Sequence, residues 1–195
     1  MAALLTLAAA QAGRAQPPAA PRELLNSERI EQKFGSYGID VLESGAEFRV
    51  SNLFSTTNGE RTTRTFAVVR YPDQVDPAFA SEHAEIVKGG SIGAIFAKHG
   101  WTVRKSHLEF GEIAASPRLA TLMRIAPGTA LAEHVYVLDI VKGDMRFQYA
   151  ALVEIHHPDY LRRQDLAAFY GVPDARGREP LLAMMLATAA SKARD

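Results

Sequence analysis

The sequence predicts an α+β domain in which an antiparallel sheet packs against a few helices, and three observations carry that expectation. Strand-like stretches are joined by tight turns, above all Asn58-Gly59, where both residues tolerate the positive φ that a two-residue hairpin demands. A helical middle starts at Asp76-Pro77 and is cut by Gly89-Gly90. Two long strands, Leu131 to Val141 and Met145 to His156, flank Lys142-Gly143-Asp144. A chain of 195 residues, 47% hydrophobic and 23% charged, suffices for one well-buried domain and is too short for two ordinary ones.

Taken in order, Leu24 to Phe34 reads as a helix stopped by Gly35. Gly38 to Leu42 and Phe48 to Phe54 read as strands around the Ser44-Gly45 turn. Thr62 to Tyr71, rich in threonine, valine and aromatics, is the next strand and ends at Pro72. Asp76 supplies an N-cap and Pro77 an N1 proline for a helix reaching about Lys88. Ser91 caps a second helix, Ile92 to His99, with Gly100 in the left-handed position that ends it. Trp101 to Ile113 and Leu119 to Ile125 are expected strands. In the last hairpin, setting Lys142 opposite Met145 pairs Ile140 with Phe147, Leu138 with Tyr149, Tyr136 with Ala151 and His134 with Val153 on an apolar face. The other face then carries Val135 with Leu152 and Glu133 with Glu154. A slip of one residue would scramble both faces. Beyond Pro158 the chain turns helical to Tyr170. This domain spans residues 24–171, and residues 172–195 form a linker and a helix from Pro180 to about Lys192. That helix docks on the domain or on a second copy, in which case it makes a homo-oligomer.

Residues 1–20 are a separate object. The apolar run Met1 to Ala10, followed by Ala10-Gln11-Ala12 and a proline-rich spacer, has the pattern of a secretory signal peptide, although no lysine or arginine precedes the run. The expected location is periplasmic or secreted, and cytoplasmic if the segment is only an alanine-rich tail. It is too short to span a bilayer. Lysine plus arginine and aspartate plus glutamate both count 22, so the basic excess that nucleic-acid binding needs is absent. Without cysteine there are no disulfides, thiolate metal sites or thiol nucleophiles.

Several residues could carry chemistry. Glu133 and Glu154, opposite each other in the expected register, would form a carboxylate pair in which one pKa rises, as a general acid requires. Glu154 and His156, at i and i+2, share one side of a strand and could begin a metal site with His134 or His83. The register sets His134 on the opposite face, however, so no metal and no cofactor is expected. Arg64 sits on a strand side with Phe66, Val68 and Arg70, where a guanidinium needs an anionic partner. Ser91-Ile92-Gly93 opens a helix after two glycines and offers backbone N–H groups to an anion. Nucleotide-binding glycine motifs, G-x-S-x-G and H-E-x-x-H are all missing.

Three short segments carry a resemblance. Thr63-Arg64-Thr65-Phe66-Ala67-Val68-Val69 resembles the strand of chorismate lyase that bears a substrate-binding arginine. Ser91-Ile92-Gly93 is similar to its P-L-G segment, and Leu152-Val153-Glu154-Ile155-His156-His157-Pro158 to its T-E-L-x-x-P stretch with the catalytic glutamate. With the order of elements from Ser27 to Leu161, the chain resembles the superfamily of chorismate lyase and the ligand-binding (UTRA-type) domains of GntR-type regulators. The resemblance implies a sheet of about six strands with helices mainly on one face. It implies a small aromatic or carboxylated ligand held by Arg64, Ile92, Gly93 and His156, and Glu154 as the acid of a lyase that releases pyruvate from an enol ether. His156-His157 departs from the apolar residues expected after that glutamate. The other function classes in play are an exported interaction protein without catalysis and a metal-dependent hydrolase using Glu154 and His156.

Overall fold

The fold is taken from a computed structural model that describes residues 24–194; the expected leader lies outside them. One six-stranded antiparallel sheet has the order β1-β2-β3-β6-β5-β4. Its strands are β1 (Gly38–Ser44), β2 (Phe48–Thr57), β3 (Glu60–Arg70), β4 (Thr102–Ala114), β5 (Ala130–Lys142) and β6 (Met145–His156). The helices are α1 (Asn26–Phe34), α2 (Ala80–Val87) after a 3₁₀ turn at Pro77–Phe79, α3 (Ile92–Lys98), α4 (Pro117–Met123), α5 (Arg163–Tyr170) and α6 (Glu179–Lys192).

The turn chemistry read from the sequence recurs in the backbone. Asn58 and Gly59 have φ of 51° and 79° between β2 and β3, the left-handed pair that suits a twisted hairpin. Asp76 accepts a hydrogen bond from the Ala78 N–H at 2.8 Å, capping the turn that Pro77 begins. Ser91 stands at the N-cap of α3, but its side chain makes no capping hydrogen bond. Gly93 is required for another reason: a Cβ there would lie 2.5 Å from the Leu25 side chain, so its absence lets α3 approach the start of α1.

The segment expected as a strand at Leu119 to Ile125 is helical. Ser116 accepts from the Leu119 N–H at 3.1 Å and Pro117 occupies the first turn. That is a helix start, and the run Leu119, Ala120 and Met123 is the buried stripe of α4.

The two faces of the sheet differ. On one, Phe66, Val68, Val135, Val137, Val153 and Ile155 pack under α4 and α6, with Leu119, Met185 and Ala189 completing a fully apolar cluster. The C-terminal helix therefore docks on its own sheet. The other face meets α1, α2, α3 and α5, with an aromatic cluster at one end built on Phe79, Phe96 and Tyr149. The Phe96–Tyr149 ring centroids are 4.7 Å apart and the Phe79–Phe147 centroids 5.3 Å.

The β5–β6 hairpin keeps the expected register only near its turn. Lys142 faces Met145, Ile140 faces Phe147 and Asp139 faces Gln148; then Leu138 faces Ala150, so Tyr149 is an extra residue in a bulge. The bulge allows Phe147 and Tyr149 to join the aromatic cluster while Ala150 and Leu152 join it too. Beyond it every expected pair shifts by one: Val135 faces Val153, His134 faces Glu154, and Glu133 faces Ile155.

Candidate functional site

The shift places Glu133 and Glu154 on opposite faces, and the expected carboxylate pair does not form. Glu133 points to the α4–α6 side, beside Gly111. Burial there, with Glu109 adding negative charge, raises its pKa to about 7. The raised carboxylate exists, with a different partner and away from Glu154.

Glu154 and His134 instead lie side by side on the face toward α1 and α5. A row of partners runs across the sheet from Ser51 through Ala67 and Glu154 to His134. The next row brings Thr65 beside His156. Glu154, His134 and His156 are all buried, the two imidazoles to 0% and 1% exposure. One ligating atom from each lies within 4.8 Å of the others.

The outer atoms of this cluster are engaged. Asn26, at the start of α1, donates from Nδ2 to Glu154 Oε1 at 3.0 Å and to Thr65 Oγ1 at 3.1 Å. Tyr160 donates its hydroxyl to Asn26 Oδ1. His156 Nδ1 shares a 3.0 Å hydrogen bond with Thr65 Oγ1, and His134 Nε2 shares one of 2.8 Å with His107 Nδ1. The inner atoms differ: among the described residues, His134 Nδ1 and His156 Nε2 have no hydrogen-bond partner. A buried polar atom left so costs about 1–3 kcal/mol. Burial, with the Lys105 charge added, pushes His156 down to about 3. Burial first, then His156, Lys105 and His107, holds His134 far below the usual imidazole range. Both rings are neutral at physiological pH.

Glu154 also forms one wall of a cavity of about 70 Å³, room for about five waters or a small organic molecule. Its other polar walls include Tyr37, Arg49, Ser91 and Lys105, and its apolar walls include Ile39, Ile92, Leu138 and Leu152. Arg49 is 3% exposed and donates from Nη1 to the Ile86 and Gly90 carbonyls at 3.1 and 2.8 Å. Its Nε has no partner among the described residues, and neither does the buried Ser51 Oγ.

Of the residues singled out in the sequence, Ile92, Gly93 and Glu154 line this cavity. His156 stands behind Glu154 in the cluster. Arg64 is not a wall residue: its Nε donates to Ser55 Oγ at 2.8 Å and its guanidinium lies 3.8 Å from the Phe34 ring centroid. His83 is elsewhere, hydrogen-bonded to the Tyr149 hydroxyl. Sequence reasoning missed Asn26, Tyr37, Arg49, Thr65 and Lys105. Arg49 alone left a signal, as a charge within the otherwise strand-forming run Phe48 to Phe54.

No family model and no curated protein sequence matches the chain. Solved structures do. The ligand-binding domain assigned to a GntR-family transcriptional regulator from Bordetella bronchiseptica is 16% identical with a TM-score of 0.46, covering 64% of this chain and 87% of that one. A GntR-family transcriptional regulator from Enterococcus faecalis is 13% identical with a TM-score of 0.41, over 65% and 93% of the two chains. The C-terminal domain of the histidine utilization repressor from Pseudomonas syringae is 14% identical with a TM-score of 0.40, over 65% and 95%. These solved structures are what the chain is similar to in fold. Likeness at this level adds no argument about ligand or reaction, which must come from the site itself.

Proposed function

We propose that this domain binds a small organic anion, a carboxylate on an apolar or aromatic body, in the cavity between the sheet, α1 and α3. The observation that carries the reading is the composition of the cavity wall. Arg49 and Lys105 set two cations against the single carboxylate of Glu154, and the Arg49 Nε is buried without a partner among the described residues. A bound carboxylate would satisfy the guanidinium and balance the charge, while Ile39, Ile92, Leu138 and Leu152 would cover the apolar body. Lyase chemistry is not part of this reading, because the acid–base pair that would have supported it is split between the two faces of the sheet.

The test is a thermal-shift and calorimetric screen of benzoate, 4-hydroxybenzoate and chorismate, with pyruvate release followed in the chorismate sample. Binding raises Tm by mass action, and Lys105→Gln and Arg49→Lys should each weaken it by about tenfold or more, since charge-assisted hydrogen bonds are the strong ones. Arg64→Ala, outside the wall, should leave affinity within about twofold. Failure of every compound to bind, or an affinity that follows Arg64 rather than Lys105, would overturn the reading. Export forms part of the same proposal, supported by the apolar run and Ala10-Gln11-Ala12. Amino-terminal sequencing of the protein from fractionated cells tests it, and an uncleaved chain in the cytoplasm would sink it.

A further inference from the structure

We infer that His134, Glu154 and His156 form a binding site for a divalent transition-metal ion of the zinc or iron(II) class. The two orphaned imidazole nitrogens carry the argument. His134 Nδ1 and His156 Nε2 belong to side chains buried to 0% and 1% exposure and have no hydrogen-bond partner among the described residues, and one ligating atom from each of His134, Glu154 and His156 lies within 4.8 Å of the other two. His156 Nε2 is 4.0 Å from Glu154 Oε2. Two imidazoles and one carboxylate are a donor set that such ions favour. Metal-bound donors lie about 3.3 Å apart, so closure by up to about 1.5 Å completes the geometry.

The hydrogen bonds on the far side agree with this use. For His156 Nε2 to offer a lone pair, Nδ1 must carry the proton and donate it to Thr65 Oγ1, its partner at 3.0 Å. For His134 Nδ1 to do so, Nε2 must donate to His107 Nδ1, its partner at 2.8 Å. Asn26 fixes the outer oxygen of Glu154. Each ligand is thus oriented by a second residue, the arrangement that holds metal-binding histidines in one tautomer. The opposite tautomers would bury an N–H with nothing to accept it.

One feature opposes the ion. The charge of Lys105 acts on both histidines, so a divalent cation binds against its repulsion. Removing that charge should therefore strengthen metal binding, whereas the same change should weaken the organic anion. This opposite sign separates the two readings, which share Glu154 as a binding group and Lys105 as a charge that acts on each.

The experiment uses the full chain, stripped with chelator and titrated with Co²⁺ alone, then Zn²⁺, with no organic ligand. One Co²⁺ per chain should bind with visible d–d absorption, and Zn²⁺ should displace it. His134→Gln, His156→Gln and Glu154→Gln should each weaken binding at least about tenfold, and Thr65→Val or His107→Gln about 10–100-fold as orienting residues. Lys105→Met should tighten it. Far-UV circular dichroism checks that each variant is folded. Where one is not, nitrogen-15 spectra of the wild type decide: Zn²⁺ must move the ring nitrogens of His134 and His156. Binding that survives all three ligand substitutions overturns the assignment, as does Zn²⁺ that moves other histidines instead, or no saturable binding below about 100 µM.

Discussion

The two faces of this sheet are built from alternate residues of the same strands, yet they answer to different physics. Under α4 and α6, Val135, Val137, Val153 and Ile155 meet Leu119 and Met185 with almost no polar atom between them. On the other face, Thr65, His134, Glu154 and His156 are held by hydrogen bonds with Asn26, with His107 and between Thr65 and His156. The apolar face gains from every buried methylene and asks nothing of direction. The polar face has to satisfy donors and acceptors one by one, and where it fails it leaves two buried imidazole nitrogens without hydrogen-bond partners among the described residues. Stability resides on the first face and specificity on the second. That division predicts that changes at the candidate site cost less stability than changes under α4 and α6.

The comparison is broken most forcefully on the apolar side. Leu119 is fully buried in α4 against β3, and Leu119→Ala removes its methyl groups and leaves a cavity, a change that costs about 2–5 kcal/mol. Urea denaturation should show the midpoint falling with m unchanged, while Co²⁺ affinity of the surviving folded protein stays the same. A loss of metal affinity equal to that of His134→Gln would mean the two faces are not independent. On the polar side, Thr65→Val keeps the shape and deletes the hydroxyl that meets both Asn26 Nδ2 and His156 Nδ1. It should cost about 1–3 kcal/mol, because His156 Nδ1 stays buried without a mate, while Asn26 Nδ2 keeps its bond to Glu154 Oε1. Unlike Leu119→Ala, it should also lower metal affinity.

How much of this was legible in the residues depends on how local the deciding interaction is. Turns and caps were readable, since Asn58-Gly59, Asp76-Pro77 and Gly100 act within a few positions of themselves. The antiparallel sheet of about six strands followed from those elements and the family resemblance, whereas its strand order, with β6 between β3 and β5, was not read from the residues. The α4 segment misled because Leu119 to Ile125 is a short apolar run, which periodicity cannot assign. The Ser116-Pro117 start decided it. The β5–β6 register failed for a different reason. Its alternation is satisfied equally well on both sides of the bulge, and the packing of Tyr149 against Phe79 and Phe96, residues far away in sequence, selects the shift. The site depended on that shift and on Asn26 reaching Glu154 across 128 residues, which no local pattern encodes.

The smallest expected effect sharpens the comparison at a charge that intrudes on the apolar side. Glu133 is raised to about 7 by burial and by Glu109, whereas in the unfolded chain a glutamate titrates near 4.3. Below that lower value both states hold the proton and nothing is lost. As pH climbs from there toward 7 the unfolded chain ionises first, so folding stability falls through this window, and above it the deficit is constant. Glu133→Gln removes the ionisation while keeping the shape. Its advantage over the wild type should be negligible near the acid end of that window and grow to about 1 kcal/mol above pH 7, after allowance for solvent screening of a partly accessible carboxyl. Urea midpoints measured at the two ends give the difference directly. A gain that does not change with pH would mean that Glu133 stays ionised in the folded protein, and that the apolar face tolerates charge better than its packing indicates.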